Sequence, residues 1–291
     1  MATAKQFRTR IRSTQKTAQM TKTMQMVSAV RLRKTQEALH QATPYAEKMR
    51  DFFTHLHRTG LPLHHPLLTP RSIQSIALVV VTSDRGLCGA YNSRVVARAE
   101  MFLSEPRPCP VALVLIGKKA IDYFKNKQWP ILHAYGDVAG KIHYETMTAI
   151  TQQLLDDYLY GRADEIYLLT SQYLSAMSAK LVCEKFLNLS PETISGDTPP
   201  PEEVQTILEP SLQVVLDRFL PAYAASRMYM ALVSAFTAEN ASRMIAMQTA
   251  TDNAKSMVRR LTLQCNKARQ AAITREIVEI VSAGEALKGG R

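Results

Sequence analysis

The two ends of the chain contain none of the residues that stop a helix. All 14 prolines fall between Pro44 and Pro221, and no glycine occurs before Gly60 or, apart from Gly196, between Gly161 and Gly284. Residues 1–43 and 222–283 are thus free of both breakers, and each reads as one long helix. At ~1.5 Å per residue the second alone would run roughly 90 Å. A compact domain does not enclose a rod of that length, so such a helix either projects from the fold or is sheathed by something else.

Periodicity supports helix at both ends. A 3/4 spacing runs through Met230, Val233, Thr237, Ala241, Met244, Gln248, Thr251, Ala254, Val258, Leu261, Cys265, Ala268 and Ala272, which keeps one face in line as a coiled-coil seam does. Phe7, Ile11, Ala18, Met20, Met24, Val27 and Val30 make a similar stripe near the start. Because the two stripes bracket a separate region, an antiparallel pair of helices is the expected arrangement. The seam is small and partly polar, so it allows close approach while burying less apolar surface than a leucine zipper.

The middle of the chain has a different rhythm. Ser75–Val81 and Val111–Ile116 read as buried strands, Ile131–Tyr135 as a shorter one, Glu165–Thr170 as a fourth and Lys180–Leu187 as a fifth. Helical spacing fills Ala90–Leu103, Lys118–Lys127 and Ile142–Tyr160 between them. Strands alternating with helices predict a doubly wound, Rossmann-like α/β sheet. The expected division is a helix over 1–57, an α/β domain over 73–190, a Pro-rich acidic loop over 191–210 and a second helix over 211–287.

Charge separates the same parts. The net charge of +11 resides at the ends: residues 1–43 carry +8 and residues 222–283 carry +4, while 44–221 carry −2. Such ends suit a polyanionic or acidic partner, whether nucleic acid, anionic lipid or an acidic protein surface. No apolar run approaches the roughly 20 residues of a transmembrane helix, and no apolar block follows the basic start as in a secretory signal. Cys88, Cys109, Cys183 and Cys265 are widely spaced, form no CxxC pair and read as buried thiols.

Candidate chemistry is sparse. The turn Thr82-Ser83-Asp84-Arg85-Gly86-Leu87-Cys88-Gly89 follows the first strand and could hold a phosphate on its amides, but it lacks GxGxxG. Gly117-Lys118-Lys119 lacks the remainder of a P-loop. Cys88 could act as a thiolate beside Arg85, yet no histidine stands at a recognisable spacing, so a packed thiol is expected. His55, His57, His64 and His65 invite a metal reading but fit no standard ligand spacing. Asp156-Asp157 and Asp164-Glu165 are expected to be solvated.

Residues 2–34 (ATAKQFRTRIRSTQKTAQMTKTMQMVSAVRLRK), TSDRGLCGAYN at 82–92, ENASRMIAMQTATDNAK at 239–255 and NKARQAAITREIVEIVSA at 266–283 together resemble the γ subunit of F-type ATP synthases. The resemblance extends from residue 2 to about 287 in the same order of parts, which favours a bacterial-type chain over one with a transit peptide. It implies a rotor: a bent antiparallel coiled coil of the terminal helices inside a ring of α and β subunits, with the α/β domain on the c-subunit ring beside ε. It also implies no cofactor, no nucleic-acid partner, no catalysis by the chain alone, and peripheral attachment at the cytoplasmic side of the cell inner membrane through the complex. Met24 lies in the family's TKxMxMV segment, Arg243 in SRMxAM, and Arg269, Gln270, Thr274 and Glu276 in KARQxxITxE; the resemblance assigns these six to coupling and β contact. Around Ile207-Leu208-Glu209-Pro210 the match is loose. The α/β domain lacks the cysteine-bearing insertion of the chloroplast type, which argues against thiol control.

Overall fold

The computed structural model describes residues 4–58, 63–138, 144–189 and 208–288. Its elements are α1 (Ala4–Arg58), β1 (Ile76–Val81), α2 (Tyr91–Ser104), β2 (Val111–Ile116), α3 (Lys118–Phe124), β3 (Ile131–Tyr135), α4 (Tyr144–Leu159), β4 (Glu165–Ser175), β5 (Ser178–Leu187) and α5 (Leu212–Lys288). Most of the loop expected at 191–210, Ile207 included, lies outside the described residues.

Both terminal helices run past a proline. α1 contains Pro44 and α5 contains Pro221. A proline inside a helix forfeits one backbone hydrogen bond and crowds the preceding turn. Just before Pro44, the Thr43 hydroxyl donates to the Leu39 carbonyl at 2.7 Å.

The chain divides into two compact units, residues 1–27 with 244–291, and residues 28–243. In the first unit the expected seam on α5 is realised. Thr251, Ala254 and Cys265 are buried, with Val258, Leu261 and Ala268 half-buried between exposed neighbours, while Ala272 is exposed. The stripe on α1 differs from its expected course. Phe7, Ile11, Ala18 and Met24 are half-buried, whereas Met20, Val27 and Val30 are 64%, 47% and 72% exposed. The inward positions of α1 are instead Thr14 and Thr21 in this unit and, in the second, Ser28, Leu32 and Thr35. Met20 and Val27 each stand one residue before a seam position, about 100° around the helix. A narrow seam selects residues by size, and the Thr21 and Thr251 hydroxyls meet across it at 2.7 Å.

The second unit holds a five-stranded sheet in the order β3-β2-β1-β4-β5, parallel except for β5, which pairs antiparallel with β4. β1 is buried on both faces, and its side chains alternate between two cores. Ala77, Val79 and Val81 face a core shared with α1, α4 and α5; Ile76, Leu78 and Val80 face one shared with α2 and α3. This is the doubly wound arrangement, in which buried parallel strands read as unbroken apolar runs. β4 continues to Ser175, five residues past its expected end, because it turns directly into β5. The Ser175 hydroxyl oxygen accepts from the amides of Met177 and Ser178 at that turn.

α1 and α5 run antiparallel on the first face. Gln36 reaches Tyr173, whose amide donates to the Ser234 hydroxyl, and further along Phe53 stacks on Tyr223 at 5.3 Å and on Phe219 at 6.2 Å. As α1 advances, α5 returns.

Candidate functional site

In an open α/β sheet a ligand usually binds beyond the carboxyl ends of the strands where the strand order reverses. Here that point lies between β1 and β4, and α5 occupies it. The Ser234 hydroxyl accepts from the Tyr173 amide at 2.9 Å, and the Tyr91 hydroxyl donates to the Ala235 carbonyl at 3.2 Å. Two turns further, the Ser242 hydroxyl donates to the Cys88 carbonyl at 2.7 Å. Arg243 donates from Nε to the Gly86 carbonyl at 3.2 Å and from Nη2 to the Arg85 carbonyl at 2.9 Å.

The turn after β1 has its own frame as well. The Ser83 amide donates to Asn92 Oδ1 at 3.0 Å. Asp84 Oδ1 accepts from the amides of Lys118 at 2.9 Å and Asp137 at 3.1 Å, so one carboxylate ties the loops after β1, β2 and β3. The amide at the start of α3, which could have met a phosphate, thus already carries an anion. Leu87 adopts φ 62° and is 61% exposed. Left-handed backbone costs a non-glycine residue roughly 1–2 kcal/mol, so the middle of this turn is held there by its contacts.

Arg243 does not project to solvent. It is buried beside Glu239, whose Oε1 lies 2.7 Å from Nη2. Burial pushes the Glu239 carboxyl above its usual range against the opposing pull of Arg243; Asp84 and Arg31 act on it more weakly, in opposite directions. Glu239 Oε2 is enclosed without a hydrogen-bond partner. Glu239 was not among the residues singled out from sequence. Its signal was the spacing Glu-x-x-x-Arg, which places acid and base on one helix face in the favourable order.

The other five candidates are not gathered with Arg243. Met24 is half-buried in the first unit, and Arg269, Gln270, Thr274 and Glu276 are exposed on α5. From residue 269 to 282 every residue of α5 is exposed, including Ile273, Ile277, Val278, Ile280 and Val281.

The remaining sequence candidates resolve individually. Cys88 is a packed thiol, its sulfur 3.1 Å from Asn92 Nδ2. Cys265 is buried too, but Cys109 and Cys183 are half-buried, against expectation, because they sit at the margin of the second core. The paired acids depart further from expectation. Asp157 is buried between His133 at 2.7 Å and Arg162 at 3.1 Å, and Glu165 pairs with Lys185. Asp164 binds Arg71 at 2.9 Å and accepts from the amides of Gln74 and Ser75. Burial is possible for these carboxylates because each meets cationic or amide donors. Among the described residues no group of three or more His, Cys, Asp or Glu could hold a metal ion.

His65 is tied locally: its Nδ1 accepts from the Leu67 amide, and its Nε2 lies 3.6 Å from Asp217. Burial lowers its pKa below 6.5, with Asp217 pulling the other way. A lowered base favours the neutral ring in the fold, so its contribution to stability is complete above pH 6.5 and is lost as pH falls below that value. We expect His65→Gln to flatten the decline of the thermal midpoint between about pH 6.5 and 5. Parallel pH profiles for wild type and variant would contradict this.

A model of the ATP synthase family matches residues 3–287. The chain is 38% identical to the ATP synthase gamma chain of Geobacter metallireducens, covering 99% of this chain and 100% of that one. It is also 38% identical to the ATP synthase gamma chain of Desulforamulus reducens, again over 99% and 100%. Its fold resembles a chain in the Euglena gracilis mitochondrial ATP synthase, OSCP/F1/c-ring, with a TM-score of 0.66 at 18% identity over 99% of this chain and 95% of that one. A chain of the Tetrahymena thermophila mitochondrial ATP synthase central stalk/c-ring aligns with a TM-score of 0.60 at 23% identity, over 79% and 99%.

Proposed function

Because this chain belongs to the family of ATP synthase γ chains, we propose that it is the central-stalk rotor of a proton-translocating F-type ATP synthase, coupling rotation of a c-subunit ring to ATP synthesis at β subunits. The chain is a structural subunit and not itself the catalyst. Its partners are the α and β subunits of the catalytic ring, the ε subunit and the c ring. Residues 1–57 and 211–287 serve as the shaft, 73–190 as the α/β domain and 191–210 as the connecting loop. The described residues include no helix long and apolar enough to cross a membrane. As a γ chain of the complex, its place is peripheral within a membrane-bound assembly, at the cytoplasmic side of the cell inner membrane.

The observation that carries this reading is the end of α5. Ile273, Ile277 and Ile280 line one side of the helix while Val278 faces another, all of them exposed. Together they form a broad exposed apolar stripe, with Arg275, Glu276 and Glu279 on the rest of the circumference, and a stripe of that width calls for an apolar partner surface. A ring of subunits supplies such a surface.

Met24, Arg269, Gln270, Thr274 and Glu276 then act at the surface facing β. An exposed ion pair is worth about 0–1 kcal/mol, weak enough to break and reform once per rotational step. Arg243, enclosed by its own chain, contributes through the turn it holds. The test is recovery of the tagged chain from membranes washed at low ionic strength. α and β subunits should co-purify, and their absence would sink the rotor reading. Gln270→Leu should leave subunit content unchanged while lowering ATP-driven proton pumping severalfold. Unchanged pumping and synthesis would mean that the shape of the shaft alone transmits torque.

A further inference from the structure

The turn after β1 is held at two ends by different means. Asn92 and the amides of Lys118 and Asp137 fix Ser83 and Asp84, whereas the carbonyls of Arg85, Gly86 and Cys88 turn toward α5 and are taken by Arg243 and Ser242. Between them Leu87 stands in left-handed backbone, exposed to solvent. The second half of the turn therefore takes three bonds from α5, beside those from its own segment, where the Ser83 hydroxyl donates to the Arg85 carbonyl at 2.7 Å and the Tyr91 amide to the Cys88 carbonyl at 3.2 Å.

We propose that Glu239 and Arg243 are positioning residues forming a latch that locks this turn onto α5, so that the carboxyl edge of the sheet and the stretch of α5 up to Arg243 move as one piece. A guanidinium offers donors in a planar fork, and here two of its nitrogens meet two successive carbonyls. That geometry demands a fixed rotation of the side chain. Glu239, one helical turn earlier, supplies it by accepting from Nη2 at 2.7 Å. The carboxylate is kept for aim rather than for stability, since its second oxygen is buried without a partner. A lysine at 243 carries one compact ammonium and cannot span both carbonyls. The consequence for coupling rests on the rotor reading, while the latch itself is a property of this chain.

Cys88 provides the probe. The residue is 1% exposed in the latched turn, and its carbonyl accepts from the Ser242 hydroxyl and the Tyr91 amide. A small uncharged maleimide reaches it only when the turn opens. In the purified full chain, labelling resolved by peptide mass spectrometry should show Cys88 reacting about tenfold faster in Arg243→Lys, with Cys265 unchanged as an internal reference. Glu239→Ala should act in the same direction. Glu239→Gln, which retains an acceptor oxygen at the same place, should stay within about twofold of wild type. Ser242→Ala, a milder change, should accelerate Cys88 about threefold and serves if Arg243→Lys does not fold. Cys88 rates within twofold of wild type in folded Arg243→Lys or, failing that, in Ser242→Ala would overturn the latch.

In the reconstituted complex, protons pumped per ATP hydrolysed should fall severalfold in Arg243→Lys and be retained in Glu239→Gln. Faster labelling with unchanged pumping per ATP would overturn the latch as a coupling joint. A wild-type chain that assembled with no α and β subunits would instead defeat the rotor reading, and the labelling rates alone would then decide the latch.

Discussion

Replacing Phe53 with alanine should cost the second unit about 3–5 kcal/mol, read as a lower denaturant midpoint. Phe53 has no exposed surface and stacks nearly parallel to Phe219 and Tyr223, at interplanar angles of 11° and 6°. Its removal takes away a buried ring and leaves a hole lined by two aromatics that the sheet on one side and α5 on the other prevent from collapsing. It also separates α1 from α5 where the two helices share the core of the sheet. Phe52, half-buried and in edge contact with Phe219 at 4.8 Å, is the control. Phe52→Ala should cost clearly less, since part of that ring is already in water. Equal losses for the two variants, or a loss below about 1 kcal/mol for Phe53→Ala, would mean that the stack does not join the helices.

Gly117→Ala should destabilise by a similar amount, about 3–4 kcal/mol, although it adds one methyl group. Gly117 lies at φ 98° and ψ 139°, a region essentially reserved for glycine. A Cβ there would stand 2.3 Å from the Thr82 carbonyl oxygen, and both are backbone positions that cannot swing away. The strand ends are joined at this spot. The Thr82 amide donates to the Ile116 carbonyl at 2.8 Å, the Gly117 amide donates to the Tyr135 carbonyl at 2.8 Å, and Thr82 Oγ1 accepts from the Ala120 amide at 2.8 Å. Relieving the clash would break bonds among β1, β2 and β3 together. Calorimetry of the variant should show a thermal midpoint several degrees lower, and a midpoint within about 1 °C of wild type would refute the close approach.

The exposed α5 end and the buried Arg243 bear differently on how torque is carried. Residues 269–282 are all exposed, so a change there is felt chiefly through partners. Arg243 is spent on the chain's own carbonyls, so a change there first alters the chain itself. Placing both among surface contacts, as motif positions suggest, merges two separate jobs.

The elements were legible because their signals are local. Unbroken apolar runs at 76–81 and 111–116 mark parallel strands buried on both faces, and the absence of Pro and Gly at both ends marks long helices, since backbone sterics act within a few residues. The 3/4 seam of α5 from Thr251 to Ala268 follows from the same helical geometry. Family membership was legible in uninterrupted motifs at both termini.

Facing was another matter. Met20, Val27 and Val30 look like core by hydropathy and are exposed, while Thr21 and Ser28 are turned inward, because the width of the gap between two helices selects side chains by size. Asp157 and Glu165 look solvated and are buried, because His133, Arg162 and Lys185 arrive from other elements to meet them. Glu239 and Arg243 stand one helical turn apart on α5, yet the carbonyls that give the pair its task come from a turn 157 and 158 residues earlier. Periodicity states which residues of a helix share a face; what that face meets, and so whether a charge on it is spent inside the chain or kept for a partner, depends on contacts between segments far apart in the chain.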